Sequence, residues 1–161
     1  MIVLFMGVAG SGKTTVGRRL AVELGWNFRD ADEFHPPANI AKMADGTPLT
    51  DEDRAPWLAA IRAYIVECLA RGENAVVTCS ALKESYRQIV VVDPAQVKLV
   101  YLRGDFDLLH RRLAQRRGHF MREDMLQSQF AALEPPRDAL VLDVAAPAEK
   151  LVADIRAALG L

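Results

Sequence analysis

The sequence is poor in the features that mark several protein classes. Only two cysteines occur in 161 residues, Cys68 and Cys79, too few to frame a disulfide scaffold. No apolar run approaches the roughly 20 residues of a membrane-spanning helix. The formal net charge is −1, without the basic excess of a general nucleic-acid binder. No secretory leader is expected either, because the first apolar stretch, Met1 to Met6, leads straight into a glycine-rich loop. A cytoplasmic setting with reduced thiols is therefore expected. Internal repeats and linkers are also missing, so one domain over residues 1–161 is expected. The hydrophobic fraction of 51% and charged fraction of 25% are those of a soluble globular chain with a substantial core.

What is present alternates between two periodicities. Strands are predicted over 1–6, 26–29, 75–78, 97–102 and 139–142. Helices are predicted over 15–24, 38–45, 51–69, 84–91, 105–117, 123–133 and 148–159. Thr50 stands three residues before Asp53, a capping arrangement for the long third helix. Trp57, Leu58, Ile61, Ile65 and Leu69 form its buried face. The alternation predicts an α/β layer with a mostly parallel sheet, in which ligands bind beyond the carboxyl ends of the strands. The loops after residues 6, 29, 78, 102 and 142 share that rim.

The first of these loops carries the strongest motif. Gly7, Val8, Ala9, Gly10, Ser11, Gly12, Lys13 and Thr14 spell G-x-x-x-x-G-K-[ST] between a strand and a helix. Such a loop turns its N–H groups onto phosphate oxygens, and the helix start adds partial positive charge. Lys13 would reach the outer phosphates of ATP, and the Thr14 hydroxyl would bind Mg²⁺. The third strand exits at Thr78-Cys79-Ser80 with no acid, so a Walker-B aspartate is missing from its commonest place. Asp30 and Asp32, after the second strand, fill the gap. Asp30 is assigned mainly to the metal and Asp32 mainly to the acceptor hydroxyl, whose proton it takes. The two could exchange tasks.

Between the second and third strands, residues 34–57 are dense in polar groups, as an acceptor-binding insert would be. Arg54, Lys42 and His35 suit a carboxylate, and Asp32, Asn39 and Asp51 suit hydroxyls. Ser80 and Lys83, leaving the third strand, face the same place, whereas Cys79 reads as a small buried residue. Six arginines follow at 103, 111, 112, 116, 117 and 122, with Gly118 and His119 among them. They predict a cationic lid over about 112–130, in which Arg112 and Arg116 reach the nucleotide and Arg116 steadies the transferring phosphoryl group. No aromatic platform accompanies them, which argues against RNA.

These stretches together resemble the gluconate kinases of the shikimate-kinase-like P-loop group. The resemblance is carried by the phosphate loop, Asp30-Ala31-Asp32-Glu33-Phe34-His35-Pro36, Asn39-Ile40-Ala41-Lys42-Met43 and Gly46-Thr47-Pro48-Leu49-Thr50-Asp51-Glu52-Asp53-Arg54. It continues through Trp57-Leu58, Cys79-Ser80-Ala81-Leu82-Lys83, Tyr86-Arg87, Tyr101-Leu102-Arg103-Gly104-Asp105-Phe106 and Arg116-Arg117-Gly118-His119-Phe120-Met121. It implies a P-loop NTPase fold with a five-stranded parallel sheet flanked by helices, a substrate-binding insert and a lid. It also implies phosphorylation of D-gluconate at its 6-hydroxyl by ATP with Mg²⁺, adenine contacts around residues 145–147 and a homodimer. Arg117 stands where the family carries lysine, and the segment after Leu133 is short. Two other readings are a shikimate- or nucleotide-type kinase and a nucleotide-binding regulatory module. A shikimate-type site would show a glycine cluster after the third strand, where this chain has Cys79-Ser80-Ala81. A regulatory module would leave the polar insert without a purpose.

Overall fold

The computed structural model describes residues 1–116 and 123–161. Arg117, Gly118, His119 and Arg122, which the sequence reading puts in the lid, lie outside the described residues. β1 (Ile2–Met6) occupies the middle of the sheet, and all five of its residues are buried. Alternate side chains of a strand point to opposite faces. Ile2, Leu4 and Met6 accordingly join one core cluster, Val3 and Phe5 another. β2 (Asn27–Asp30), β3 (Ala75–Thr78), β4 (Val97–Arg103) and β5 (Leu140–Asp143) complete an all-parallel sheet in the order β2-β3-β1-β4-β5. The predicted α/β fold with a parallel sheet is what the chain adopts.

The helices divide between the two faces. Against the Ile2–Leu4–Met6 side pack α3 (Asp51–Ala70), through Trp57, Leu58, Ile61 and Ile65, and α4 (Glu84–Val90), through Tyr86 and Val90. Against the Val3–Phe5 side pack α1 (Lys13–Leu24), α5 (Phe106–Ala114), α6 (Glu123–Ala132) and α7 (Ala148–Leu159). α2 (Pro37–Ala44) lies in the insert. α1 approaches the sheet closely at Gly17, where a Cβ would sit 2.9 Å from Thr78 Cγ2. Among the described residues, no helix is long and apolar enough to cross a membrane.

Two local features differ from or sharpen the sequence reading. β2 runs one residue further than predicted, so Asp30 is strand, and Ala31–Phe34 forms an unpredicted 3₁₀ turn. The cause is local: the Asp30 carboxylate accepts the Asp32 N–H at 3.0 Å and caps the turn. The expected cap of α3 is present in both directions, Thr50 Oγ1 taking the Asp53 N–H at 3.1 Å and Asp53 Oδ2 taking the Thr50 N–H at 2.9 Å. Replacing Thr50 by alanine should cost about 1 kcal/mol. Urea denaturation would register this as a lower midpoint at unchanged slope.

Candidate active site

The helices that follow β1 and β3 lie on opposite faces of the sheet, so a crevice opens between these neighbouring strands at their carboxyl ends. The glycine-rich loop leaves β1 there. Gly7 N–H donates to Ser80 O at 3.3 Å, and Cys79 N–H to Phe5 O at 2.9 Å, so the loops after β1 and β3 are tied together. Gly7 has φ +149°, and a Cβ on it would lie 2.7 Å from Leu102 O, so no larger residue fits. Gly12 at the cap of α1 offers no side-chain partner, and the first turn of the helix holds no acid. The free N–H groups of that turn are thus left for an anion. Lys13 is half-buried, its Nζ donating to Gly7 O at 2.9 Å and Val8 O at 3.1 Å. Burial pushes its pKa down, and Asp32 is the charge that opposes this most, with Asp30 also contributing.

Thr14 Oγ1 donates to Asp30 Oδ2 at 3.2 Å. A hydroxyl and a carboxylate, both hard oxygen donors, therefore meet beside the phosphate loop. That donor set suits Mg²⁺, which takes few protein ligands and fills its shell with water and phosphate oxygens. No group of three or more His, Cys, Asp or Glu side chains that could hold a metal ion occurs among the described residues, so these offer no complete cage. Burial pushes the Cys79 thiol up to about 12, which keeps it neutral beside Lys13.

The polar insert lines the other wall. His35 stacks on Trp57 with ring centroids 4.4 Å apart, and Trp57 Nε1 donates to Ala31 O at 2.7 Å. Asn39, only 3% exposed, donates through Nδ2 to Asp53 O at 2.8 Å and meets His35 Nδ1 at 3.2 Å. Because Nδ2 can only donate, His35 Nδ1 accepts and the ring proton sits on Nε2, free to donate. Burial and the nearby Arg54 lower the His35 pKa, so the ring is neutral near pH 7. Lys42 is held at 2.8 Å by Asp53, whose carboxyl drops to about 2 through that bond and the Thr50 N–H. Asp51 accepts from Lys83 Nζ at 3.1 Å and from the Tyr86 hydroxyl, which together hold its carboxyl below the usual range. Arg54 donates through Nη1 to Leu49 O at 2.6 Å and to the Tyr86 hydroxyl at 3.3 Å. Its Nε and Nη2 have no hydrogen-bond partner among the described residues.

Opposite the insert, Arg112 and Arg116 border a cleft of about 240 Å³ between Gly10–Gly12 and the stretch Val144 to Leu151. Arg112 Nη2 donates to Val144 O at 2.6 Å, and the Arg116 charge is felt at Lys13. Ala146 and Pro147, within the segment expected to hold adenine, line this cleft. A larger groove of about 910 Å³ lies against α4 and the start of β5 and includes none of the residues above.

The structure thus gathers Lys13, Thr14, Asp30 and Asp32 at the loop, Arg112 and Arg116 on one side, and His35, Asn39, Lys42, Asp51, Arg54, Ser80 and Lys83 on the other. Sequence reasoning gave no role at the site to Trp57, which it put in the core, or to Tyr86 and Gln129. Trp57 and Tyr86 stand in the stretches that carried the family resemblance, a signal that was there to use. Gln129 is isolated in sequence, yet its Oε1 takes the Ala9 N–H at 2.7 Å.

Comparisons with known proteins agree with this geometry. The AAA domain family matches residues 2–136. A gluconokinase of Gluconobacter oxydans is 48% identical over 136 residues, covering 84% of this chain and 76% of that protein. A probable gluconokinase of Mus musculus is 45% identical over 152 residues, covering 84% and 83%. The crystal structure of a gluconokinase from Sinorhizobium meliloti 1021 superposes with a TM-score of 0.88 at 44% identity, covering 98% of this chain and 90% of that one.

Proposed function

The chain belongs to the gluconokinase family, and from that premise we propose that it transfers the γ-phosphate of ATP to the 6-hydroxyl of D-gluconate, giving 6-phospho-D-gluconate and ADP. The observation that carries the reading is electrostatic. Of the charges acting on the half-buried phosphate-loop lysine, that of Asp32, in the turn just after β2 on the same rim, acts on it most. An acid at that point stands where an acceptor hydroxyl would meet the phosphate that Lys13 holds.

Each residue then has a task. The loop N–H groups and Lys13 hold the phosphates, and Thr14 with Asp30 would hold Mg²⁺, which when bound draws charge from the phosphate oxygens. Asp32 orients the acceptor hydroxyl and takes its proton as the phosphoryl group is attacked. Arg116 balances the negative charge that builds on the transferring group, and Arg112 shapes the base cleft. The sugar acid lies against the insert, its carboxylate on the unpaired edge of Arg54 and the His35 Nε2–H. Lys42, Asn39 and Asp51 support that wall while Lys83 and Ser80 close it at the exit of β3. The proposal extends to one domain over residues 1–161 with an insert at about 34–57 and a lid at about 112–130, a homodimer and a cytoplasmic setting.

ADP release measured with MgATP separates the readings. Gluconate alone should stimulate it strongly, while shikimate and nucleoside monophosphates should not. Equal rates with and without every acceptor would sink the kinase assignment in favour of a nucleotide-binding module. Stimulation by shikimate or a nucleotide instead would move the substrate.

A further inference from the structure

One side chain from a distant part of the chain reaches the phosphate loop without a role in the scheme above. Gln129 on α6 accepts the Ala9 N–H at 2.7 Å across 120 residues of sequence. α6, which forms the carboxyl-terminal part of the proposed lid, is docked on the core in this structure. Leu126 is buried in the core, and Phe130 meets Phe106 edge-on with ring centroids 5.7 Å apart. Just beyond its end, Glu134 N–H donates to Leu82 O at 2.8 Å and Glu134 Oε1 takes the Glu84 N–H at 3.0 Å. A side chain carried on an element docked in this way can set the geometry of what it touches.

The direction of the amide follows from the contact. Ala9 N–H is a donor, so the Gln129 atom facing it is the oxygen, and the side-chain nitrogen with its two N–H groups points elsewhere. That nitrogen has no hydrogen-bond partner among the described residues. Ala9 follows directly on Gly7 and Val8, whose carbonyls hold the Lys13 ammonium. The phosphate-loop lysine marks the outer phosphates. The Gln129 amide therefore sits at the terminal-phosphate end of the loop, not at the base end.

We propose that Gln129 is a positioning and specificity residue for the nucleoside triphosphate. Its carbonyl oxygen holds the Ala9 peptide in register, and its amide N–H groups favour a terminal phosphate at that end of the loop. The inference rests on the loop being the nucleotide site, as read above.

Two variants separate this from a purely structural role. Gln129→Glu keeps an acceptor for Ala9 at the same reach and replaces the donor half of the amide by a negative oxygen. Gln129→Ala removes both. Equilibrium binding of a non-hydrolysable ATP analogue and of ADP, each with Mg²⁺, is measured for both variants and the parent. Like charges in a partly buried site repel, so Gln129→Glu should bind the triphosphate at least about tenfold more weakly, with ADP affinity changed less than about threefold. Gln129→Ala should weaken the triphosphate by only a few-fold, so that the glutamate is worse than the alanine. A residue that merely shapes the loop gives the reverse order, Gln129→Glu binding both nucleotides like the parent, and that result overturns the proposal. The triphosphate-to-diphosphate ratio is taken within one preparation, so a reduced folded fraction cancels. A parent protein that binds neither nucleotide would overturn the loop reading and this inference together. A parent that binds both, with an unchanged ratio in Gln129→Glu, overturns this inference alone.

Discussion

An Asp32→Asn variant is expected to turn over roughly 10²–10⁴-fold more slowly, the usual loss of a general base, while retaining its nucleotide. The substitution preserves shape and hydrogen-bonding reach but leaves no group that can take a proton from the acceptor. The backbone beneath it does not depend on the lost charge. Asp32 N–H is held by Asp30 at 3.0 Å, and the preceding Ala31 carbonyl by Trp57 at 2.7 Å. A second effect acts in the same direction. Asp32 is the charge that most supports the Lys13 ammonium, and without it the Lys13 pKa falls further below its ordinary value. Bound phosphates supply a replacement counter-charge, so affinity survives where turnover does not. Steady-state kcat, nucleotide affinity and the pH profile of the variant test this together. An unchanged kcat would remove Asp32 from the role. Asp30→Asn serves as the contrast: its bond to Thr14 predicts a raised Mg²⁺ requirement at that site.

The second large effect is expected away from the chemistry, at Arg87. This side chain is buried, with the residue only 3% exposed, and both terminal nitrogens of its guanidinium are engaged. Nη1 donates to Ala81 O at 2.9 Å and Leu82 O at 3.0 Å, and Nη2 to Glu134 O and Glu84 Oε2, both at 2.8 Å. Ala81 has φ +43°, a left-handed conformation that a residue with a Cβ rarely adopts. Arg87 thus braces the loop that carries Ser80 and Lys83 to the rim. Arg87→Met fills similar space but strands two carbonyls, those of Ala81 and Glu134, while Leu82 O keeps the Glu134 N–H. At about 1 kcal/mol each the loss is near 2 kcal/mol, a fall in Tm of roughly 4–8 °C for a chain of this size. Glu84 is largely exposed and can turn to water, so it adds little. Calorimetry or a thermal melt decides the matter. A Tm within about 2 °C of the parent would show that the carbonyls find other donors.

What could be read from the chain and what could not divide along physical lines. β1, the phosphate loop and the cap of α3 are contiguous, and their determinants lie within a few residues of one another. The continuous apolar run Ile2 to Met6 and the reciprocal Thr50–Asp53 pair therefore announce themselves. The insert is different. Lys42, Asn39 and Asp51 read as open polar groups facing a ligand, yet Lys42 is bonded to Asp53, Asn39 to the Asp53 carbonyl, and Asp51 to Lys83 and Tyr86. Whether a polar side chain is engaged inside the protein depends on neighbours 11 to 35 residues away, which no local pattern encodes. The 3₁₀ turn after β2 was hidden for a smaller reason, since Asp30 caps it only once the strand has set the direction of its carboxylate. Gln129 depends on a partner 120 residues away and Arg87 on carbonyls from two separate segments, so their roles emerge only in three dimensions.

The position of β1 in the middle of the sheet has a consequence for how such a protein can diversify. In the proposed scheme the acceptor faces one flank, β2, the insert and the exit of β3, and the base faces the other, α5, the exit of β5 and the start of α7. The two flanks meet along β1 and its loop, along α1, and where Glu134 bonds Leu82 and Glu84. Changes on one flank need not propagate to the other, because the strand between them is fully buried and paired on both sides. A lineage can therefore exchange one reactant for another by rebuilding half of the molecule, and inherit the other half intact.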